Sequence, residues 1–338
     1  MKRLCFFSLV CGLAACGPAV TPASPAPAGT STPGGDPDDT TAVLTGAPIK
    51  PIDGGEAFVR GGKWSEAKAF YEARIKTNPD DVSALYYAAL ARENLGDWKV
   101  AQQLYARVLT LSPYHAESLT NLSAHAVESG DYAGARSTLE PAMGKPGPAC
   151  PLVQNYALAL AGLDDPRANV ARDTALKCDP KAGMFRVYYA QLRALKHKEE
   201  AIASLVQLPD VASSDLIAMQ GGLSTLRALG AYRKCIDYSL ALFNIQNPYE
   251  RPFGPLWVEV GLCQIGVKDE QEAQRAFEYA VRSDPSLPDA HFYLAGVQAR
   301  ARYVKEPIAS YTKFLELAPK DPRAEQARAR INALSRSK

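Results

Sequence analysis

Cysteines and histidines are the residues of this 338-residue chain best suited to chemistry, seven of the first and four of the second. Their spacing suits neither hydrolysis nor metal binding. The chain has no GxSxG elbow, no HExxH, no histidine pair at ligand spacing and no CxxC pair. His115, His125, His197 and His291 are scattered and read as solvated or packing side chains. Gly61-Gly62-Lys63-Trp64 resembles a phosphate loop only superficially. Ala57 stands where its first glycine belongs, and Trp64 where a Ser or Thr would hold magnesium. The pairs Asp80-Asp81, Asp164-Asp165 and Glu199-Glu200 fit turns and helix starts, where carboxylates complement the helix dipole. No catalytic residue, metal or cofactor is therefore expected, and the remaining chemistry belongs to the cysteines.

One cysteine sits in a distinctive N-terminal context. Lys2 and Arg3 form a short positive region, Leu4 to Leu13 is apolar, and Leu13-Ala14-Ala15-Cys16 follows. Together they resemble a bacterial lipoprotein signal with its lipobox, which implies cleavage after residue 15 and a covalent lipid on Cys16. The apolar stretch is too short for a permanent span, and an ordinary secretory signal is the alternative. Cys5 and Cys11 would leave with residues 1–15. By the sorting rule of such lipoproteins, Gly17 in place of aspartate implies an outer-membrane anchor facing the periplasm. Residues 16–51 are rich in Pro, Ala, Thr and Gly and lack the apolar side chains to fold. They read as a disordered tether able to reach on the order of 90 Å if extended.

Beyond the tether a 34-residue period governs the sequence. Gly96-Asp97-Trp98 and Gly130-Asp131-Tyr132 lie 34 positions apart, each followed by an alanine, Ala101 or Ala135; Gly62-Lys63-Trp64 and Ala67 occupy the same phases one period earlier. The glycine supplies a left-handed helix end, the aspartate caps the next helix, and the aromatic packs into the hairpin. Alanine falls where two antiparallel helices approach closely. This pattern resembles the tetratricopeptide repeat family. Degenerate copies run from Leu152 to Pro180 (without the glycine turn), Met184 to Pro209, Leu216 to Pro248, Gly254 to Pro285 and Pro288 to Pro319. In the last, Pro307 replaces the alanine and belongs in a first helical turn. The expected fold is all-α, an α-solenoid of tetratricopeptide hairpins over residues 52–321, with roughly seven or eight repeats. Residues 322–338 should form a polar-faced capping helix. One continuous right-handed superhelix is expected, bending at Gly144–Pro148 and Asn247–Pro252, with a split into sub-blocks as the alternative.

Repeat geometry also ranks the cysteine pairings. Cys150, Cys178, Cys235 and Cys263 allow three. Cys150 opens one helix and Cys178 ends its antiparallel partner; Cys235 opens a helix that packs against the one carrying Cys263. Bridges Cys150–Cys178 and Cys235–Cys263 are expected, as an oxidising periplasm permits.

First helices of each hairpin would line a concave groove, with Tyr86, Leu90 and Glu93, then Thr120, Asn121 and Ala124, then Tyr188, Gln191 and Arg193, and finally Phe292 and Tyr293. Aromatics with amides and charges suit an extended peptide or partner helix. Tyr87, Tyr189, Trp257 and Tyr311 read instead as packing between repeats. The Lys and Asn set with which some family members clamp a C-terminal carboxylate is absent, since Tyr86 and Leu90 hold two of its positions.

Charge adds no other partner. Lys and Arg total 38 against 36 acidic residues, and the excess of two is Lys2 and Arg3. No single-sign field suggests nucleic acid, and no small-molecule substrate is expected. The expected function is a non-enzymatic scaffold that binds envelope proteins or peptide segments while held to the membrane by its lipid. Similar lipoproteins include secretin pilotins, outer-membrane assembly components and adaptors for peptidoglycan hydrolases. Secretin, pilus or motility assembly is preferred; a peptidoglycan-enzyme adaptor or direct cell-wall glycan binding is the alternative.

Overall fold

In a computed structural model, residues 54–212, 214–245, 253–301 and 304–336 are described. The signal, Cys16 and the tether lie outside them. Every regular element among these residues is a helix. The chain divides into two compact units, residues 1–171 and 172–338.

Unit 1 contains α1 (Glu56–Arg60), α2 (Trp64–Thr77), α3 (Val82–Asn94), α4 (Trp98–Leu111), α5 (Ala116–Ser129), α6 (Tyr132–Met143) and α7 (Cys150–Gly162). The unit boundary falls inside α8 (Ala168–Cys178), and the Pro-rich joint at Asn247–Pro252 lies outside the described residues. Unit 2 continues with α9 (Gly183–Arg193), α10 (Lys198–Val206), α11 (Leu208–Ala212), α12 (Leu216–Ala228), α13 (Tyr232–Ile245), α14 (Gly254–Gly266), α15 (Glu270–Ser283), α16 (Pro288–Arg300), α17 (Lys305–Leu317) and α18 (Ala324–Arg336). Helix α11 was not expected: Pro209, read as the end of a repeat, is its second residue, where a missing N–H costs nothing.

Helix pairing follows from the small residues. Ala67, Ala101 and Ala135, one period apart, are all fully buried, and each lies one turn into the second helix of its hairpin. Four residues later the same helices bury a large side chain: Tyr71, Tyr105 and Leu139 are inaccessible. A small residue followed one turn later by a large one lets the helices close at one level and interlock at the next. Pro307 keeps the alanine's slot in α17 because it is buried at the third helical position, within the first turn.

Turns between paired helices depend on one left-handed residue. Gly96 and Gly130 both adopt φ of 80°. Where that glycine is lost, Asp164 (φ 55°) and Lys268 (φ 66°) take the same conformation at the α7–α8 and α14–α15 turns. Repeat geometry thus overrides the local preference of an L-residue. The aspartate that follows caps the next helix in two of these turns: Asp131 Oδ1 accepts from the Gly134 amide at 2.9 Å and Asp269 Oδ1 from the Glu272 amide at 3.1 Å, whereas Asp97 makes no cap. Its carboxylate pairs instead with Arg92 Nη1 at 2.7 Å. The aromatic that follows packs onto the next hairpin: a Cβ on Gly162 would strike the Tyr132 ring, and one on Gly266 the Tyr232 ring.

Cys235 and Cys263 form a disulfide between α13 and α14, both fully buried, with Cα atoms 6.2 Å apart. Cys150, the first residue of α7, and Cys178, the last of α8, are also disulfide-bonded. At the chain end, α18 buries Ala324 and Ala327 while Arg323 anchors its start. The Arg323 guanidinium lies 4.8 Å from the Phe292 ring centroid and pairs with Asp289 at 2.5 Å and Asp321 at 2.8 Å.

Two stability measurements check this account. Lys268→Gly, which relieves an exposed left-handed lysine without removing a bond, should stabilise the protein by about 1 kcal/mol in urea denaturation. Replacing both Cys235 and Cys263 by alanine should cost about 3 kcal/mol in the same assay, since the bridge closes a loop of 28 residues.

Candidate functional site

In each unit the first helices of successive hairpins lie side by side: α5 touches α7 in unit 1, and α9, α12, α14 and α16 touch in sequence in unit 2. The faces they offer differ in how far their polar groups are already engaged.

On unit 1 the site is a connected polar cluster built around Tyr105. Its hydroxyl donates to Glu93 Oε2 at 2.7 Å and accepts from Asn121 Nδ2 at 2.7 Å, joining α3, α4 and α5. Tyr86 is half-buried beside it, with ring centroids 6.0 Å apart, and lies 5.2 Å from the His115 ring. Burial pushes the Tyr86 hydroxyl up to about 12, with Glu117 and Glu93 adding to the shift. Burial likewise raises the Glu93 carboxyl, although the Tyr105 hydrogen bond opposes it. Asn155 on α7 donates to the Thr120 carbonyl at 3.1 Å and to Ser123 Oγ at 2.9 Å, fixing α7 against α5.

Charge is distributed unevenly around this cluster. Arg74, Arg92, Arg107 and Arg167 each pair with a carboxylate of the unit. Glu93, Glu117 and Glu128, all on first helices, form no ion pair with Lys or Arg among the described residues. His125 stacks on Trp98 with ring centroids 3.7 Å apart and lies close enough to Glu93 to offset part of that shift. The face is thus aromatic and carboxylate-rich.

Unit 2 presents polar groups that satisfy one another. Gln191 Nε2 donates to Thr225 Oγ1 at 2.9 Å, and Arg227 Nε to Glu259 Oε2 at 2.8 Å. Several expected groove residues are interior here. Arg193 is 8% exposed, with Nη2 3.5 Å from Glu200 Oε2. Phe292 is buried against Tyr311 and Phe314, its ring centroid 5.8 and 5.0 Å from theirs, so it is core and not groove. Tyr293 stacks on Phe277, and Tyr188 is half-buried.

Of the unit 1 candidates, Tyr86 and Glu93 are brought together. Leu90 packs against the α2–α3 core, and Thr120 bonds its own helix through Ala116 O at 2.8 Å. Asn121 is a strut to Tyr105. Sequence reasoning missed Tyr105 and His115 as members of the cluster. The signal for Tyr105 was its phase, shared with Tyr71, but phase alone does not reveal a hydroxyl bonded to two other helices. Tyr87, Tyr189, Trp257 and Tyr311 are all buried.

The tetratricopeptide repeat family model matches residues 52–116 and 270–322, one stretch at each end of the described helices. These stretches are tetratricopeptide repeats. Among solved structures, yeast Tom70 is similar at a TM-score of 0.55 and 16% identity, over 87% of this chain and 66% of that one. The likeness shows the fold, an all-α stack of tetratricopeptide hairpins. MamA from Desulfovibrio magneticus RS-1 is similar at 18% identity and a TM-score of 0.37, over 61% of this chain and 97% of that one. A curated relative, a probable biofilm formation methyltransferase WspC of Pseudomonas aeruginosa, is 31% identical over 90 residues. That match covers 27% of this chain, which spans about a fifth of the relative's length, 21%.

Removing only the Tyr105 hydroxyl tests the cluster. Tyr105→Phe keeps the packing but leaves Glu93 and Asn121 without their shared partner, and should cost about 1–3 kcal/mol in chemical denaturation. A change below 0.5 kcal/mol would mean that the cluster adds little to the α3–α4–α5 packing.

Proposed function

We propose that this chain is a non-enzymatic scaffold, anchored by lipid at the periplasmic face of the outer membrane, that binds proteins of an envelope machine. Tetratricopeptide hairpins favour a protein-binding role, because stacked helices give an extended surface and no enclosed reaction chamber. The observation that carries the reading is the α3–α5 face of unit 1. There Tyr86 and three carboxylates without a Lys or Arg partner among the described residues suit an extended segment bearing basic side chains. Disulfide bonding at all four described cysteines supports an oxidising compartment, in agreement with the lipobox at Cys16. Secretin, pilus or motility assembly is the machine we favour, on the combination of a lipobox with a tetratricopeptide array.

Crosslinking in the native envelope, followed by mass spectrometry, tests the proposal. Wild type should enrich secretin, pilus or motility proteins. Cys16→Ser, which cannot be lipidated, should lose that enrichment, and Tyr86→Ala combined with Glu93→Gln should reduce it roughly tenfold, the order expected for an interface anchor. Enrichment of cell-wall enzymes or sacculus material would instead favour the peptidoglycan adaptor.

A further inference from the structure

His115 occupies an unusual position for a titratable side chain. It is the N-cap of α5, and its Nδ1 accepts from the Ser118 amide at 3.2 Å. An acceptor nitrogen carries no proton, so the neutral ring holds its hydrogen on Nε2. That nitrogen is buried and has no hydrogen-bond partner among the described residues, and the residue as a whole is 7% exposed.

We infer that His115 is a pH-sensitive latch on unit 1: the neutral ring closes the first turn of α5, and protonation at Nδ1 opens it. An imidazolium has two donors and no acceptor, so it cannot cap Ser118. The proton would also place a charge in an almost closed site. From α3, Tyr86 faces this site with its ring 5.2 Å away, and Tyr87 beside it lies within the field of Glu117; α4 contributes Tyr105, which lies against Tyr86, and α5 itself contributes Glu117, whose Oε2 is 3.6 Å from Nδ1. Burial holds the imidazole below its ordinary value, and Glu117 opposes that shift without overcoming it. Glu117 offers the released ring a partner nearer to solvent, so opening exchanges a backbone cap for an ion pair.

The sign of the pH effect follows. With its folded value depressed, His115 binds its proton more readily when the chain is unfolded. Its contribution is fully present above the unfolded value, near 6.5, and is lost as pH falls from there through the folded value. Opening the latch loosens the helix that carries Asn121, and through Tyr105 the setting of Glu93. Only this last consequence rests on the proposed binding face; the latch itself needs no partner.

Amide hydrogen exchange on the full chain, corrected for intrinsic rates, tests it at about pH 7.5 and about pH 5. In wild type the protection of the Ser118 amide should fall on acidification roughly fivefold more than in His115→Asn, whose side chain caps well and does not titrate. An equal fall in both would overturn the latch. Should the variant fail to fold, nitrogen-15 NMR of the wild-type imidazole decides. A hydrogen on Nε2 at neutral pH with a midpoint below 6.5 is expected, and a hydrogen on Nδ1, or a midpoint at or above the ordinary value, would refute it.

Discussion

Close approach of paired helices at one small side chain is the constraint on which this structure depends. Ala67, Ala101 and Ala135 are fully buried at equivalent points. A larger residue there would push the helices apart and lift Tyr71, Tyr105 and Leu139 out of contact one turn later. A single hairpin also leaves one apolar face uncovered, so it is stable only against its neighbours. Turn conformation is subordinate to this packing. Asp164 and Lys268 accept left-handed backbone because the helices on either side are already committed to their spacing.

Polar groups are then distributed according to what the packing leaves open. On unit 2 the first helices use theirs on one another, as in Gln191 with Thr225 and Arg227 with Glu259. On unit 1 the Tyr105 hydroxyl gathers Glu93 and Asn121, while Glu117 and Glu128 form no ion pair with Lys or Arg among the described residues. A desolvated carboxylate without a cation is costly, and a basic side chain from a partner would recover part of that cost. The same burial that raises Glu93 lowers His115, so one desolvated layer of the repeat carries both the proposed recognition and its response to pH.

Much of this architecture was legible in the residue pattern. The 34-residue phase located the hairpins and their alanine slot, and the left-handed glycines followed from it. Cys235 and Cys263 could be paired because antiparallel packing brings one helix start beside a late turn of the next helix. The candidate groove was less legible. Phase assigns a residue to a helix face but cannot say whether the following element covers it. Phe292 lies under α17 and beneath the Arg323 guanidinium, and Arg193 turns inward to Glu200.

By itself, the sequence determined that this chain is a series of helical hairpins with small residues at the crossings, because a 34-residue repeat of Gly, aromatic and Ala constrains local backbone and spacing. It also paired Cys235 with Cys263. Tertiary structure alone decided which polar side chains remain available. It turned Asn121 into a strut, made His115 an acceptor at a helix start and left Glu93 without a Lys or Arg partner among the described residues. The reason is physical: burial and hydrogen bonding between helices distant in sequence depend on side-chain volumes at every level of the stack, and these are set by the packed structure as a whole.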